Sequence, residues 1–340
     1  MPGNSEKGFI LPGVLAFIAA TMSIILIGAA ALDQARDVSV ALQSDRKLLR
    51  ALDDMEARAT YLFLTSPPVR YGVSLSGGAR DATEVILGTP APSRTEEAAA
   101  PPGDLWRADG GRIALFSPGV RGTAEYHDVA GLISLNSSDP ALVAALLERF
   151  GVGREDALTM TARLRDYTDE DNIRQTRGAE RQEYRLRGLP PPANSPLRRV
   201  AEASGILGWE GFTPLGSADF LALVTAASTV QDPVWAFSPP GVLELRAAMP
   251  VVARRNEDIL ATVSSNSLVP GARGRLTLRA YDEETGRSRV RIVEISRTVG
   301  AAAAPWSRRL VLDRTEPAGT PAPETSGLPS PAVFSGGADE

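Results

Sequence analysis

An uncharged stretch near the amino terminus constrains this chain more than any other feature. Residues 9–32 read FILPGVLAFIAATMSIILIGAAAL, which is 24 residues without a charged side chain. As an α-helix the stretch would be about 36 Å long, enough to cross a hydrocarbon core of about 30 Å. Because it is uninterrupted and close to the terminus, it is predicted to be a transmembrane helix rather than a buried helix of a soluble protein.

The helical pattern continues beyond residue 32. Apolar residues recur there at steps of three, four or seven, namely Val38, Leu42, Leu49, Leu52, Met55, Ala59 and Leu62. Ser66-Pro67-Pro68 is predicted to end the helix, because a residue before proline is pushed out of the helical region. One helix over residues 9–64 is therefore expected, with residues 33–66 as its amphipathic continuation.

A cleaved secretory signal peptide is the alternative explanation of the apolar stretch. Ala29-Ala30-Ala31 offers a site with small residues, as signal peptidase requires. The apolar core of a signal peptide usually has about 7 to 15 residues, and this one is longer.

Composition removes several kinds of chemistry. The 340 residues include no cysteine and one histidine, His127, which excludes disulfides, thiolate nucleophiles, cysteine-bound zinc and multi-histidine metal sites. With 41 acidic and 36 basic residues the formal net charge is −5, so the basic field that nucleic acid would require is missing. An enzyme would have to use paired carboxylates, and no aromatic-rich cleft accompanies them.

Four regions follow the helix. Residues 69–138 read as short strands and loops, with a flexible insertion at 90–102, a hairpin at Asp109-Gly110-Gly111, and pairing between 123–128 and 131–136. Residues 139–230 read as an all-α block that begins at Asp139-Pro140, with helices over 155–167, 197–204 and 218–229.

Strands return over residues 231–313. The segments 275–282 and 288–297 flank a hairpin turn, and 309–313 is predicted to be an edge strand. Residues 314–340 are rich in Pro, Gly and Ser and are expected to be disordered. The predicted fold class is α+β, with a long N-terminal helix and an antiparallel sheet interrupted by a large inserted all-α domain.

An acidic segment is the candidate metal site. Its oxygen donors are Asp166, Asp169, Asp171, Glu180 and Glu183. Calcium accepts six to eight oxygen ligands in irregular geometry, so the segment would suit a hard cation, although its spacing is not that of an EF-hand loop. A solvated acidic loop paired with nearby arginines is the alternative.

Three other features have simpler readings. Residues 147–153 match a helix-hairpin-helix turn that would bind a DNA phosphate, but acidic neighbours favour plain helix packing. His127 is expected at the surface or rim of a strand. The four tryptophans, Trp106, Trp209, Trp235 and Trp306, are expected to pack in a core or an interface.

The leader MPGNSEKG, with Gly8 directly before Phe9, resembles a type IV prepilin leader. This resemblance implies that a prepilin peptidase cuts after Gly8, the last residue of a leader spanning 1–8, and that Phe9 is then methylated. Pilin-type subunits usually have Glu at the fifth mature residue, where this chain has Gly13. Without that carboxylate a subunit cannot neutralise the amine of the subunit ahead of it, which suits a position at a filament end.

Further along, residues 128–136, the acidic segment and Leu189-Pro190-Pro191-Pro192 resemble the minor pseudopilin K of type II secretion. The resemblance implies a pilin-like sheet, a calcium-binding α-domain, and a single-pass bacterial inner-membrane protein whose bulk lies in the periplasm. It also implies a non-enzymatic role at the pseudopilus tip with the minor pseudopilins I and J, where the chain helps to start assembly and to export folded proteins. Residues 234–240 lack the asparagines usual in that family. A minor pilin of a type IV pilus or DNA-uptake system, and an anchored periplasmic hydrolase, remain alternatives.

Overall fold

The computed structural model describes residues 10–75, 104–227, 232–249, 268–297, 305–329 and 331. Its first element is helix α1, Ile10–Thr65, which contains 56 residues. The prediction of one helix from the apolar stretch to the Ser66-Pro67-Pro68 stop is therefore confirmed. The predicted insertion at 90–102 lies outside the described residues.

The second half of α1 packs on one face of a sheet. From Leu48 onward its inward side chains are buried, among them Leu52, Met55, Ala59 and Phe63. Polar contacts with Asp282 hold α1 to the sheet just before this buried stretch. Lys47 Nζ lies 2.6 Å from Asp282 Oδ1, and Ser44 Oγ donates to Asp282 Oδ2 at 2.7 Å. The sheet therefore begins to support α1 at Ser44, about half a turn after Leu42, which is exposed.

The main sheet has five antiparallel strands in the order β10-β9-β8-β5-β4. They are β4 (Asp109–Ser117), β5 (Val120–Asp128), β8 (Arg273–Asp282), β9 (Ser288–Arg297) and β10 (Trp306–Thr315). The predicted hairpin of β8 and β9 is confirmed. The predicted edge strand is also confirmed and is longer than expected. Because β5 pairs with β8, residues far apart in sequence form one continuous sheet.

The sequence reading of residues 105–136 was wrong in two places. Asp109-Gly110-Gly111 is not a hairpin turn but a bulge inside β4, where Gly110 has a φ of +106°. The preceding strand β3 (Leu105–Arg107) instead joins a small sheet with β1 (Pro68–Val69) and β2 (Gly72–Ser74). Strand β6 (Ile133–Ser134) does not pair with β5; it pairs in parallel with β7 (Val224–Thr225).

The helical domain begins where the sequence predicts. Helix α2 (Pro140–Arg149) is capped by the Asp139 side chain, which accepts from the Ala141 N–H, and α3 (Arg154–Thr168) packs antiparallel to it. Gly151 forms the turn between them with a φ of +87°, a conformation that favours glycine. The buried residues of α2 are Leu142, Val143, Ala144, Leu146 and Leu147.

The rest of the helical domain departs from the prediction. The segment expected to be a helix over 197–204 is a 3-10 helix, Val200–Gly205. The one expected over 218–229 is a short helix α5 (Ala218–Leu221) that leads into β7. Helix α4 is Arg181–Leu186, and α6 (Pro240–Ala248) packs against α2, so the helical domain continues past residue 230.

The sheet therefore lies between two hydrophobic cores. On β9, Val293 and Ile295 face α1, whereas Val290 and Ile292 face the helical domain. Trp106 is buried in the first core and Trp209 in the second, as expected, while Trp306 is partly exposed on β10.

A buried ion triad joins the sheet to the helical domain. Glu294 lies between Arg275 and Arg309, and Arg275 also donates to the carbonyl oxygens of Leu221 and Val224. Burial of the Glu294 carboxyl would raise its pKa, but the charges and hydrogen bonds of the two arginines outweigh burial and lower it.

The tail was expected to be disordered from residue 314, which is wrong for its first part. Strand β10 continues through Thr315, and the Glu316 N–H donates to Ser288 O at 3.0 Å. The chain then passes the outer edge of β4, where the Ala114 N–H donates to Pro329 O at 3.0 Å. Hydrogen bonds between this segment and the backbone of the sheet explain why it is ordered. The composition of the segment does not predict these hydrogen bonds.

His127 is not at the surface. Its side chain is buried on β5, and Nδ1 lies 3.6 Å from Glu125 Oε1. Burial, helped by the charge of Arg275, lowers its pKa to about 4, so the imidazole is neutral at pH 7. The expectation failed because β5 is an inner strand of the sheet, paired with β4 on one side and on the other with β8, which is nearly 150 positions away in the sequence.

Candidate functional site

The first half of α1 is an exposed apolar surface. By length and composition it could cross a membrane, and its 18-residue apolar window has a mean hydropathy of 2.4. Large apolar side chains are exposed all around it, among them Phe17, Met22, Ile25 and Ile27. Nothing in the described part of the chain covers them. The same helix thus has a free apolar half and a half that is held by the sheet.

Gly13 lies on this free half. A side chain added there would meet no atom within 4 Å among the described residues. The predicted processing residues, Gly8 and Phe9, lie outside the described residues, so cleavage and methylation stay predictions.

The acidic segment forms a compact group in the helical domain. One carboxylate oxygen from each of Asp169, Asp171 and Glu180 lies within 4.8 Å of the others. Asp169 directly follows α3 and Glu180 directly precedes α4, so the two helix ends bring these residues together. Oxygens on opposite sides of a calcium ion are up to about 5 Å apart, since Ca–O bonds are about 2.3–2.6 Å.

Several of these oxygens lack hydrogen-bond partners. Among the described residues, both Glu180 oxygens and Asp169 Oδ1 are buried without one. Burial, followed by repulsion from Asp166, Asp169 and Asp171, raises the pKa of Glu180 to about 7. Burial and the neighbouring Asp171 also raise the pKa of Asp169. Unpaired acceptors with mutual repulsion are the arrangement that a bound cation would stabilise.

Asp166 closes the inner side of this group. Its two oxygens accept the Gln175 N–H, each at 3.2 Å, and its side chain is buried. Gly178 packs directly against the carboxylate, so a side chain at that position would displace it. Asp166 therefore shapes the loop from 169 to 180, and its charge adds to the repulsion felt by Glu180.

Glu183 is engaged elsewhere. Its Oε2 accepts the Glu180 N–H at 3.0 Å at the start of α4, and its Oε1 lies 3.1 Å from Arg174 Nη1. Of the five predicted metal ligands, the structure therefore brings three together, places Asp166 behind them and gives Glu183 a capping role. The Gln175 N–H and the close approach of Gly178 were missed, because no spacing rule points to them.

The donor set fits a hard cation such as calcium. It consists only of carboxylates, three of whose oxygens lack other partners in the described part of the chain. Soft metals prefer sulfur or imidazole, which this group does not contain. Asp171 Oδ1 accepts the Ile173 N–H at 2.7 Å, and its main-chain oxygen accepts from Asn194 Nδ2 at 2.5 Å. The loop is thereby tied at Asp171 on both sides.

The helix-hairpin-helix turn at 147–153 serves packing. Leu147 and Phe150 contact the core of the helical domain, and Phe150 packs edge-on against Phe220 with ring centres 5.1 Å apart. Glu155, at the start of α3, lies 2.7 Å from Arg177. The turn is thus part of a helix pair flanked by acidic side chains, which disfavours a DNA phosphate.

Taken together, these elements define a class of protein. A single helix has a membrane-spanning length at one end and packs on an antiparallel sheet at the other, and a helical domain covers the opposite face of that sheet. A chain of this kind can be anchored in a membrane by a helix that also forms part of its folded core.

Comparison with known proteins gives the family. Residues 129–228, the greater part of the helical domain, match the model described as type II secretion system (T2SS), protein K. This domain is therefore similar to protein K of type II secretion systems, which confirms the resemblance noted in the sequence. No curated protein matches.

A solved structure is similar over most of the chain. It is a chain of "The Crystal Structure of the GspK-GspI-GspJ complex from enterotoxigenic Escherichia coli Type 2 Secretion System". The two share 17% identity with a TM-score of 0.41, over 81% of this chain and 99% of that chain.

Proposed function

We propose that this protein is the tip subunit of a type II secretion pseudopilus. In this role it is anchored in the bacterial inner membrane by α1, exposes its sheet and helical domain to the periplasm, and joins the minor pseudopilins I and J. It helps to start assembly of the pseudopilus, which moves folded proteins outward. It has no catalytic role of its own.

One observation carries the proposal: the apolar half of α1 is exposed while its continuation is firmly held. A lone anchor would need only the apolar half. Here the charged half is fixed to the sheet by Arg291 Nη1, which lies 2.6 Å from Asp53 and 3.0 Å from Glu56. A rigid rod fixed to a globular body suits parallel packing of several such helices.

Two features support a position at the tip. Gly13 occupies the position at which pilin-type subunits usually have a Glu, so this chain would not neutralise the terminal amine of a subunit ahead of it. The helical domain adds bulk on the sheet face opposite α1. Both features would hinder stacking of another subunit above this one.

The assembly is tested by co-expression of the tagged full-length chain with I-type and J-type minor pseudopilins and purification in detergent. A stable complex with both partners is the expected result. Recovery of the chain alone, while I and J purify together without it, would contradict the proposal.

Calcium binding by Asp169, Asp171 and Glu180 is a further part of the proposal, and Asp166 would complete the acidic surroundings. A bound cation would neutralise the repulsion among these carboxylates and fix the loop between α3 and α4. In this proposal the metal has a structural role.

We therefore predict a calcium-dependent gain in stability that grows with pH. The pKa of Glu180 is about 7 in the folded chain, against 4.5 for an ordinary Glu, so without metal the folded state binds the extra proton between these values. Metal-free stability then falls as pH rises from about 4.5 through 7, and calcium restores it. The melting temperature of the full-length protein, measured with calcium and with chelator at pH 5.5 and pH 8, gives the difference.

Matched variants identify the site. Asp171→Asn is expected to abolish most of the calcium effect, whereas Glu170→Gln removes an exposed neighbouring charge and is expected to leave it unchanged. Equal melting temperatures with calcium and with chelator at both pH values would exclude the site.

A further inference from the structure

A basic cleft lies where β8, β9 and β10 meet the helical domain. It has a volume of about 400 Å³, and its polar lining includes Arg198, Arg273, Ser296, Ser307 and Arg309. We call it the β9–β10 cleft. Neither the acidic loop nor the apolar helix contributes to it.

The strand register organises this cleft in two rows on one face of the sheet. In the inner row, Glu294 lies opposite Arg275 on one side and Arg309 on the other. In the outer row, Ser296 lies opposite Arg273 and Ser307. The rows are two residues apart along each strand, so their side chains point to the same face.

In the inner row the charged side chains are paired with one another, whereas in the outer row they are not. Glu294 is buried between its two arginines, and Arg309 is also held by the main-chain oxygen of Arg198. Within the described residues, the guanidinium groups of Arg273 and Arg198 have no carboxylate partner, and the hydroxyls of Ser296 and Ser307 make no hydrogen bond.

The cleft thus combines a positive charge with free donors. Three arginines line it, Arg198, Arg273 and Arg309, and Glu294 is the one carboxylate among its lining residues. Arginine binds carboxylates through two parallel hydrogen bonds, and serine hydroxyls add further donors.

The position of the cleft excludes the anchoring bilayer as the source of the anion. Asp282, at one end of β8, contacts Ser44 of α1, whereas Gly274, at the other end, packs against Phe63. The cleft is at the Phe63 end. Phe63 is 31 residues beyond the end of the apolar stretch, and at about 1.5 Å per residue this is roughly 46 Å along the helix.

The adjacent strand favours a peptide ligand. In the sheet order, β10 is the last strand, and no described strand pairs with its outer edge. Ser307 and Arg309 both belong to β10, so an extended segment along this edge would bring a side chain to the outer row. We propose that the β9–β10 cleft binds an acidic side chain of an extended segment from another protein.

The test uses the full-length protein in detergent and a fluorescent peptide of six aspartates, with a peptide of six asparagines for comparison. Saturable binding of the aspartate peptide, weakened by salt, is expected. The double variant Arg198→Gln, Arg273→Gln should bind at least about tenfold more weakly, since loss of one charge-assisted pair is worth about 1.4 kcal/mol or more.

Arg187→Gln is the control, because Arg187 is an exposed arginine that directly follows α4 and is not among the residues that line the cleft. It should bind as the unmodified protein does. Equal binding by all three proteins, or none by the unmodified one, would overturn the proposal. Binding of inorganic phosphate without binding of the aspartate peptide would also overturn it. Since the assay needs no other pseudopilin, its result is independent of assembly.

Discussion

Replacing Met22 with lysine is expected to release the protein from membranes and from its complex with other subunits. Met22 lies near the middle of the apolar stretch and is 63% exposed. A lysine at the centre of a transmembrane helix costs about 2.5–3.5 kcal/mol, which is roughly a hundredfold in the preference for the membrane. The measurement is the fraction of the chain that urea extracts from membranes, together with recovery of I-type and J-type partners.

Leu42→Lys is the control for this experiment. Leu42 is also an exposed apolar residue of α1, but it lies beyond the apolar stretch and before the part of the helix that packs on the sheet. Its replacement should change neither extraction nor recovery. If Met22→Lys behaved like Leu42→Lys, the apolar half of α1 would not be the anchoring surface.

Glu294→Gln is expected to cause a large loss of stability, because it breaks a buried ion pair between the sheet and the helical domain. Arg275 is 1% exposed and would lose its only carboxylate partner in the described part of the chain. Breaking a buried ion pair in this way costs about 3–5 kcal/mol, because an uncompensated charge remains buried. The free energy of unfolding, from urea titration of the full-length protein, gives the size of the loss.

The same substitution at an exposed ion pair provides the comparison. Glu244 lies 2.6 Å from Arg149, and both side chains are well exposed. Glu244→Gln should cost no more than about 1 kcal/mol. Equal losses for the two variants would mean that the triad between the sheet and the helical domain is solvated in the folded protein.

The sequence predicted α1 and its two halves because its pattern is local. Of the seven apolar positions identified beyond residue 32, Leu52, Met55, Ala59 and Leu62 are buried as expected. Val38 and Leu42 are exposed, because the sheet contacts the helix only from Ser44 onward. Periodicity identifies a face of a helix, but not how far along the helix a partner extends.

The sheet was predictable only where strands are joined by short turns. The β8–β9 hairpin was found from its turn, whereas the β5–β8 pairing depends on contacts across the whole helical domain. This pairing buries His127 and, with β9, creates the triad of Arg275, Glu294 and Arg309. Turn chemistry has no bearing on such long-range register.

The acidic loop was identified as a group, but its internal roles were not. The sequence pointed to five carboxylates as a group. The end of α3 and the start of α4 bring only three of them, Asp169, Asp171 and Glu180, close together. Glu183 was assigned to the metal, yet it lies three positions after Glu180 at the start of α4, which is the spacing of a capping pair. That spacing was visible in the sequence and would have identified the role.

The mass of the mature polypeptide is the most direct test of the central claim that α1 is kept as a packing surface. The protein is expressed with a prepilin peptidase and purified from membranes, and its amino-terminal peptide is sequenced by mass spectrometry. A chain that begins with a methylated Phe9 and retains residues 9–32 is the predicted result. A mature chain that begins near Leu32 would contradict the account, because the helix would then be a discarded signal.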